Sequence, residues 1–205
     1  MDSKTHALIK ENVIPSKQQN GDDESDFSMS SCIPVAVLQM SNNITRIVFE
    51  SRLQTTTSMY AIRVGKEYDI GNIITVDIDS NDVVTEMHNI HKQQHTNTAN
   101  YKFTGFAILK DDDRSYFIYN ELPGNLERDP DKMKKVNSSK MDETAVIYTT
   151  VENGKVVRKI LINKDQDSGI DAILPGSYIS AAGEKEIFVL RKIKSDVYLT
   201  KIFIK

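Results

Sequence analysis

The pattern of hydrophobic and polar positions changes at about residue 32. Residues 16–31 are almost entirely polar or acidic, and such a segment buries too little apolar surface to offset the entropy lost on ordering. After Cys32 the chain uses Val, Ile, Tyr, Phe and Thr in runs that Asn, Asp, Gly and Ser separate. We therefore predict a disordered tail over residues 1–31 and one folded domain over residues 32–205.

The apolar runs after Cys32 are typical of β-strands, in which β-branched and aromatic side chains are enriched. They predict strands near residues 33–40, 44–50, 59–63, 73–78, 83–87, 101–109, 116–119, 145–151, 156–162, 187–193 and 197–204. Turn-forming residues at 41–43, 152–154 and 194–196 predict hairpins between neighbouring runs. Because successive hairpins make an antiparallel meander, we expect a mainly β fold, an antiparallel β-sandwich or barrel.

Signals for helices are few. Residues 129–136 place Asp129 as an N-cap, Pro130 at the first helical position and lysines near the end, which favours a two-turn helix. Residues 85–94 form a second candidate helix that competes with the strand at 83–87. The sequence therefore predicts one or two short helices, and we interpret residues 121–142 as a long loop.

Charge, cysteine content and hydropathy exclude several classes of protein. The formal net charge is -3, from 26 Lys and Arg against 29 Asp and Glu, so no global field attracts phosphate or anionic lipid. The single cysteine, Cys32, excludes an intramolecular disulfide and a cysteine-based zinc site. Without a signal sequence or a long apolar run, we expect a cytoplasmic or nuclear protein that is not secreted and has no membrane span.

Three of the four histidines, His88, His91 and His95, form the sharpest local signal. On a helix, offsets of three and seven residues would place all three imidazoles on one face, where they could hold zinc. This pattern predicts a metal site and suggests a metal-dependent hydrolase. The alternative is a solvated polar loop, because metal-binding histidines need orienting partners that such a loop does not supply. We favour the loop and predict no cofactor.

Basic and aromatic residues alternate near the C-terminus. Lys192, Lys194, Tyr198, Lys201 and Phe203 could form a surface on which single-stranded nucleic acid stacks its bases and neutralises its phosphates. Lysines on outward strand faces also protect edge strands from aggregation. The sequence leaves both interpretations open, since a patch without net charge attracts phosphate weakly.

The last predicted strand is apolar on both faces. Strand alternation places Val197, Leu199 and Phe203 on one face and Tyr198, Thr200, Ile202 and Ile204 on the other. This pattern indicates a strand whose outer surface is covered, and we predict an interface that uses Tyr198, Ile202 and Ile204. The alternative is a central strand of a sandwich.

The chain lacks the sequence motifs of common enzymes. It contains no Gly-x-Ser-x-Gly elbow and no glycine-rich phosphate loop. Abundant Ile, Asn, Lys and Asp with no Trp is typical of an AT-rich genome, which many viruses have. We therefore predict a non-enzymatic protein-interaction or assembly module, a virus-encoded accessory or structural protein, that binds a protein partner or itself. A single-stranded nucleic-acid-binding protein and a histidine-ligated metal-dependent hydrolase are the alternatives.

Overall fold

The described residues form thirteen strands. The computed structural model describes residues 31–59, 63–111, 113–152, 154–163, 171–180 and 186–204, so the predicted tail, apart from Ser31, lies outside the described residues. The strands are β1 (Cys32–Gln39), β2 (Thr45–Met59), β3 (Arg63–Ile78), β4 (Val84–Ile90), β5 (Gln94–Asn97), β6 (Ala107–Asp111), β7 (Arg114–Glu121), β8 (Val136–Asn137), β9 (Ala145–Glu152), β10 (Lys155–Ile162), β11 (Asp171–Ser180), β12 (Glu186–Ile193) and β13 (Asp196–Phe203). The predicted mainly β fold is confirmed.

Helical structure is limited to single turns. The described helices are 3-10 turns at Ser41–Asn43, Tyr101–Phe103, Pro123–Asn125, Pro130–Lys132 and Met141–Glu143. Within the described ranges, no helix has the length and apolarity that a membrane crossing requires.

The strands form three sheets. The N-terminal sheet has the order β1-β2-β3-β5-β8, with β4 also paired to β3; the central sheet is β10-β9-β7-β6; the C-terminal sheet is β11-β12-β13. All pairs are antiparallel except the two-residue contact between β5 and β8. The predicted antiparallel meander is therefore confirmed within each sheet, and the described strands form no closed barrel.

The central sheet is buried on both faces, so the protein has three layers. One face packs against the N-terminal sheet in a core of Val48, Ile73, Ile90, Phe106, Ile108, Phe117, Tyr119 and Ile147. The opposite face packs against the C-terminal sheet in a core of Ala107, Leu109, Tyr116, Ile118, Val146, Ile173, Ile187, Val189 and Ile202. Successive residues of β7 alternate between these cores, and all of β7 after Arg114 is buried. A strand buried on both faces has a continuous apolar run instead of an alternating one.

The predicted turns are present, and two of the predicted strands are parts of longer strands. The turn at Ser41–Asn43 ends with Asn43 at φ 58°, and the turn before β13 has Lys194 at φ 55°. Gly154, at φ 73°, joins β9 to β10, while Asn153 lies outside the described residues. The strands predicted near 44–50 and 73–78 lie within β2 and β3, which pair from Thr45↔Ile78 to Met59↔Arg63. Of the strand predicted near 59–63, residues 60–62 lie outside the described residues.

Of the two candidate helices, one is absent and the other is shorter than predicted. Residues 85–90 lie in β4 and residue 94 begins β5, because β3 offers backbone partners to both strands along one edge. In the segment 129–136 only Pro130–Lys132 is helical, as one 3-10 turn. The Asp129 carboxylate binds Lys132 Nζ at 2.6 Å and makes no capping hydrogen bond, and Met133 is already extended. The helix therefore ends before a second turn.

The predicted loop 121–142 is ordered around one buried amide. Asn125 Nδ2 donates to Glu121 Oε1 and to the Lys134 carbonyl, both at 2.7 Å, and its Oδ1 accepts the Lys134 N–H at 2.8 Å. The segment also contains β8, which adds to the N-terminal sheet. Because these backbone groups are paired locally, the long connection is a folded part of the domain.

Candidate functional site

The first candidate site is the outer face of the C-terminal sheet, which we define as the side of β12 and β13 turned away from the central sheet. Ile202 is 4% exposed within the core, so its neighbours in β13 point the other way. The register pairs these neighbours with residues of β12. The outer face comprises Glu186, Phe188, Leu190, Lys192, Val197, Leu199, Lys201 and Phe203.

This outer face leaves large apolar side chains in contact with solvent. Leu199 is 67% exposed, Val197 55% and Phe203 54%. Phe188 and Leu190 on β12 are partly buried beside them. Contiguous exposed apolar side chains are characteristic of surfaces that bind another molecule.

The outer face carries little uncompensated charge. Lys201 forms an ion pair with Glu186, and its Nζ lies 5.8 Å from the centroid of the Phe188 ring. Lys192 Nζ lies 6.0 Å from the centroid of the Phe103 ring. The lysine stems therefore extend the apolar surface, and only their ammonium groups are polar.

The five residues predicted to bind nucleic acid do not share one face. Lys192, Lys201 and Phe203 lie on the outer face, whereas Tyr198 pairs with Arg191 and points to the opposite side of the sheet. Lys194 lies in the turn between β12 and β13. The structure thus brings three of the five together, and nucleic-acid binding stays a prediction.

The three residues of the predicted interface differ in their burial. Ile202 is a core residue, and Ile204 packs against the same core. Tyr198 is 49% exposed. Core packing explains the apolar character of Ile202 and Ile204, whereas the exposed apolar side chains of the outer face have no such explanation.

Two of the three histidines lie on strands, and the three do not converge. His88 is opposite Thr75 and His95 is opposite Asp69 on the same strand, β3. Six residues of extended chain separate those partners by roughly 20 Å. His91 lies in the connection between β4 and β5.

Each of the two strand histidines has a carboxylate partner. His88 Nε2 contacts Glu86 Oε2 at 3.0 Å, and His95 Nδ1 contacts Asp69 Oδ1 at 2.9 Å. Across the described ranges, no group of three or more His, Cys, Asp or Glu side chains could hold a metal ion. The predicted metal site therefore has no support in the geometry.

The second candidate site is a cleft that the sequence did not predict. It has a volume of about 520 Å³ and lies between β1 and β2, the turn Tyr101–Phe103 and β11. Its lining residues are Val35, Glu50, Arg52, Ile70, Tyr101, Lys102, Thr104, Gly105, Phe106, Leu174, Gly176, Ser177 and Tyr178. A register shift in β11 between Leu174 and Ile179 forms one wall.

A buried ionic cluster forms the floor of the cleft. Glu50 Oε1 accepts from Lys92 Nζ at 2.9 Å, and Glu50 Oε2 accepts from Arg52 Nε at 2.6 Å. Glu50 and Lys92 are both 0% exposed. Burial lowers the pKa of the Lys92 ammonium, and the adjacent Glu50 carboxylate opposes that shift.

Sequence patterning hid this cluster for two reasons. Lys92 lies in a polar run, residues 91–98, that is typical of an exposed loop. Glu50 is polar, so it does not look like a core residue. It lies two residues after the buried Val48 in β2, and the alternation of strand side chains, which puts both on the same face, is the signal that could have shown its burial.

Comparisons of the chain with protein-family models, with curated proteins and with solved structures find no match. The functional argument therefore depends on this chain's own residues. The outer face and the cleft are the two features from which function can be argued, and they lie on different parts of the fold.

Proposed function

We propose that this protein is a non-enzymatic assembly module that binds a second copy of itself through the outer face of the C-terminal sheet. The observation that carries the proposal is the exposure of Leu199, Val197 and Phe203 on one side of β13. In the assembly, the two outer faces pack against each other at the spacing of a β-sandwich, about 10 Å.

A second copy suits this surface because the surface is close to neutral. An isologous interface brings the same patch of both subunits together, so an unpaired charge near the two-fold axis would meet its own copy and repel it. Lys201 is already paired with Glu186 in its own chain. Lys192 is at the edge of the patch, opposite Val197 and next to the turn.

The residue types also favour a protein partner. Phe203, Phe188 and the stem of Lys201 offer broad apolar contacts, and the centre of a protein interface is enriched in aromatic side chains and depleted of free charge. Burying Leu199 against an apolar partner removes an exposed surface that would otherwise promote nonspecific aggregation.

The test is sedimentation of the full-length chain and of two matched variants. Leu199→Glu places a carboxylate at the centre of the proposed interface, and we expect it to convert the wild-type oligomer into a monomer. Val37→Glu on β1 is the control, because Val37 is 68% exposed and Leu199 is 67% exposed, yet they lie on different sheets. We expect the control to sediment like the wild type.

A charge-swap mixture identifies the partner. Leu199→Glu and Leu199→Lys chains should each be monomeric, and mixing them should restore a dimer if the patch meets its own copy. A wild-type chain that stays monomeric at its highest soluble concentration would refute the proposal. A monomer retained on a single-stranded oligonucleotide at low salt would instead support nucleic-acid binding.

A further inference from the structure

We infer that the cleft between β2, the turn Tyr101–Phe103 and β11 binds a small organic anion, with an apolar body and a carboxylate or phosphate head. This inference does not depend on self-association. It follows from the size of the cleft, the sign of its accessible charge and the donors that remain unpaired.

The cleft has the dimensions and walls of a small-molecule site. Its volume of about 520 Å³ is within the range of ligand pockets, roughly 300–1,000 Å³. The walls are mostly apolar or aromatic, and the side chains that form them are Val35, Ile70, Tyr101, Phe106, Leu174 and Tyr178. An apolar ligand body would replace water along these walls.

The accessible charge in the cleft is positive. Glu50 is the one carboxylate among the described lining residues, and its side chain is 1% exposed. Both of its oxygens are paired, with Lys92 and with Arg52. The Arg52 side chain is 35% exposed and Lys102 is an exposed residue, so a ligand entering the cleft meets two cations.

Arg52 is held in place before a ligand arrives. Its Nε donates to Glu50, and its Nη1 donates to the Tyr101 hydroxyl at 2.8 Å. The Tyr101 ring is itself packed edge-on against the Tyr68 ring, with 5.1 Å between the ring centroids. Because the guanidinium is oriented in the free protein, a bound anion gains its hydrogen bonds at little entropic cost.

The donors that remain determine where the head group binds. Ser177 Oγ donates to the Leu174 carbonyl at 2.6 Å, and Thr104 Oγ1 donates to the Tyr101 carbonyl at 2.7 Å, so neither hydroxyl proton is available. The Tyr101 hydroxyl accepts from Arg52 and keeps its own proton. The head therefore binds at the Arg52, Tyr101 and Lys102 end, and the apolar body extends toward β11.

Gly176 allows the cleft to be blocked by one substitution. A Cβ atom at Gly176 would meet no atom within 4 Å, and the residue lines the cleft. Gly176→Leu therefore fills space where a ligand would lie without forcing the surrounding atoms to move. This variant tests occupancy of the cleft independently of its charge.

Three probes with the same apolar body separate charge from hydrophobicity: 4-phenylbutyrate, 4-phenylbutanol and 4-phenylbutylamine. Amide chemical shifts of the full-length chain, recorded during titration, report which residues each probe affects. We expect saturable shifts at Gly105 and Gly176 with the carboxylate. Affinity should be about tenfold lower for the alcohol, or about 1.4 kcal/mol, because a hydrogen bond to a charged group is stronger than one between neutral groups by about that amount. The amine should not bind.

Four variants test whether the ligand binds in the cleft. Lys102→Gln should reduce the preference for the carboxylate over the alcohol, Arg52→Gln should abolish it, and Gly176→Leu should abolish binding of both. Leu199→Glu, on the outer face, should leave binding unchanged, so this result is independent of assembly. Equal affinity for the amine and the carboxylate, or binding that Gly176→Leu leaves intact, would refute the inference.

Discussion

The two interfaces of the central sheet differ in their chemistry. Toward the C-terminal sheet, the buried cluster contains Leu, Ile and Val side chains together with Ala107 and Tyr116. Toward the N-terminal sheet, the apolar core lies beside buried charges: Lys92 Nζ is 5.8 Å from the centroid of the Phe106 ring and 2.9 Å from Glu50. The same sheet therefore borders an apolar cluster on one face and a buried ionic cluster on the other, and the Arg191–Asp171 ion pair lies on the same strand faces of the C-terminal sheet as the apolar cluster.

The two interfaces should respond differently to substitutions. Apolar contacts are lost in proportion to the atoms removed, so a small truncation has a small effect. A buried ion pair is different, because removal of one partner leaves the other charge desolvated and uncompensated. Substitutions on the two faces should therefore differ in size and in pH dependence.

The largest expected effect is that of Lys92→Met. Removing the ammonium leaves Glu50 buried with only Arg52 as a cationic partner, and we expect the free energy of unfolding to fall by about 3–5 kcal/mol. Urea denaturation monitored by circular dichroism measures the loss. Lys155→Met on the exposed surface of β10 is the control and should change stability by less than about 0.5 kcal/mol. A loss below about 1 kcal/mol for Lys92→Met would contradict the ionic role.

The second effect depends on pH and concerns Glu121. Burial raises the pKa of its carboxyl to about 7, while hydrogen bonds from the Leu122 N–H and Asn125 and the charges of Arg158 and Lys92 act in the opposite direction. The folded pKa exceeds the unfolded value of about 4.3. The native state therefore binds more protons, and this contribution to stability is full below pH 4.3 and lost as pH rises through about 7.

Glu121→Gln should remove that pH dependence. Between about pH 4 and pH 8, the stability of the wild type relative to the variant should fall by up to about 4 kcal/mol, the equivalent of the difference between the folded and unfolded pKa values. Parallel denaturation series at several pH values give this difference and cancel the titration of the other groups. Parallel pH profiles for the two chains would show that Glu121 titrates alike in the folded and unfolded states.

The smallest effect is expected in the apolar interface. Ile118 is 0% exposed and contributes to the cluster between the central and C-terminal sheets. Ile118→Val removes one methyl group, and we expect a loss of about 0.5–1.5 kcal/mol that does not vary with pH. Thermal unfolding at pH 5 and pH 8 measures both features. A marked pH dependence would mean that the two interfaces are coupled.

Local patterns predicted much of the secondary structure, and the failures have specific causes. The turn at Asn43 and the turn at Gly154 between β9 and β10 follow from residues that tolerate positive φ. The segment 85–94 was wrongly predicted as a competing helix, because β3 satisfies its backbone groups along an edge that no local signal reveals. Asn125 likewise orders residues 121–142 through contacts nine residues apart.

The sequence by itself determined that the region after Cys32 is a mainly β fold of antiparallel hairpins, because alternation and turn chemistry act over a few residues. Only the tertiary structure decided that the hairpins stack in three layers, that Lys92 lies beneath a cleft and that Ile202 is core while Leu199 is exposed. The physical reason is that burial depends on which sheet covers a strand face. That covering depends on contacts between segments far apart in the chain.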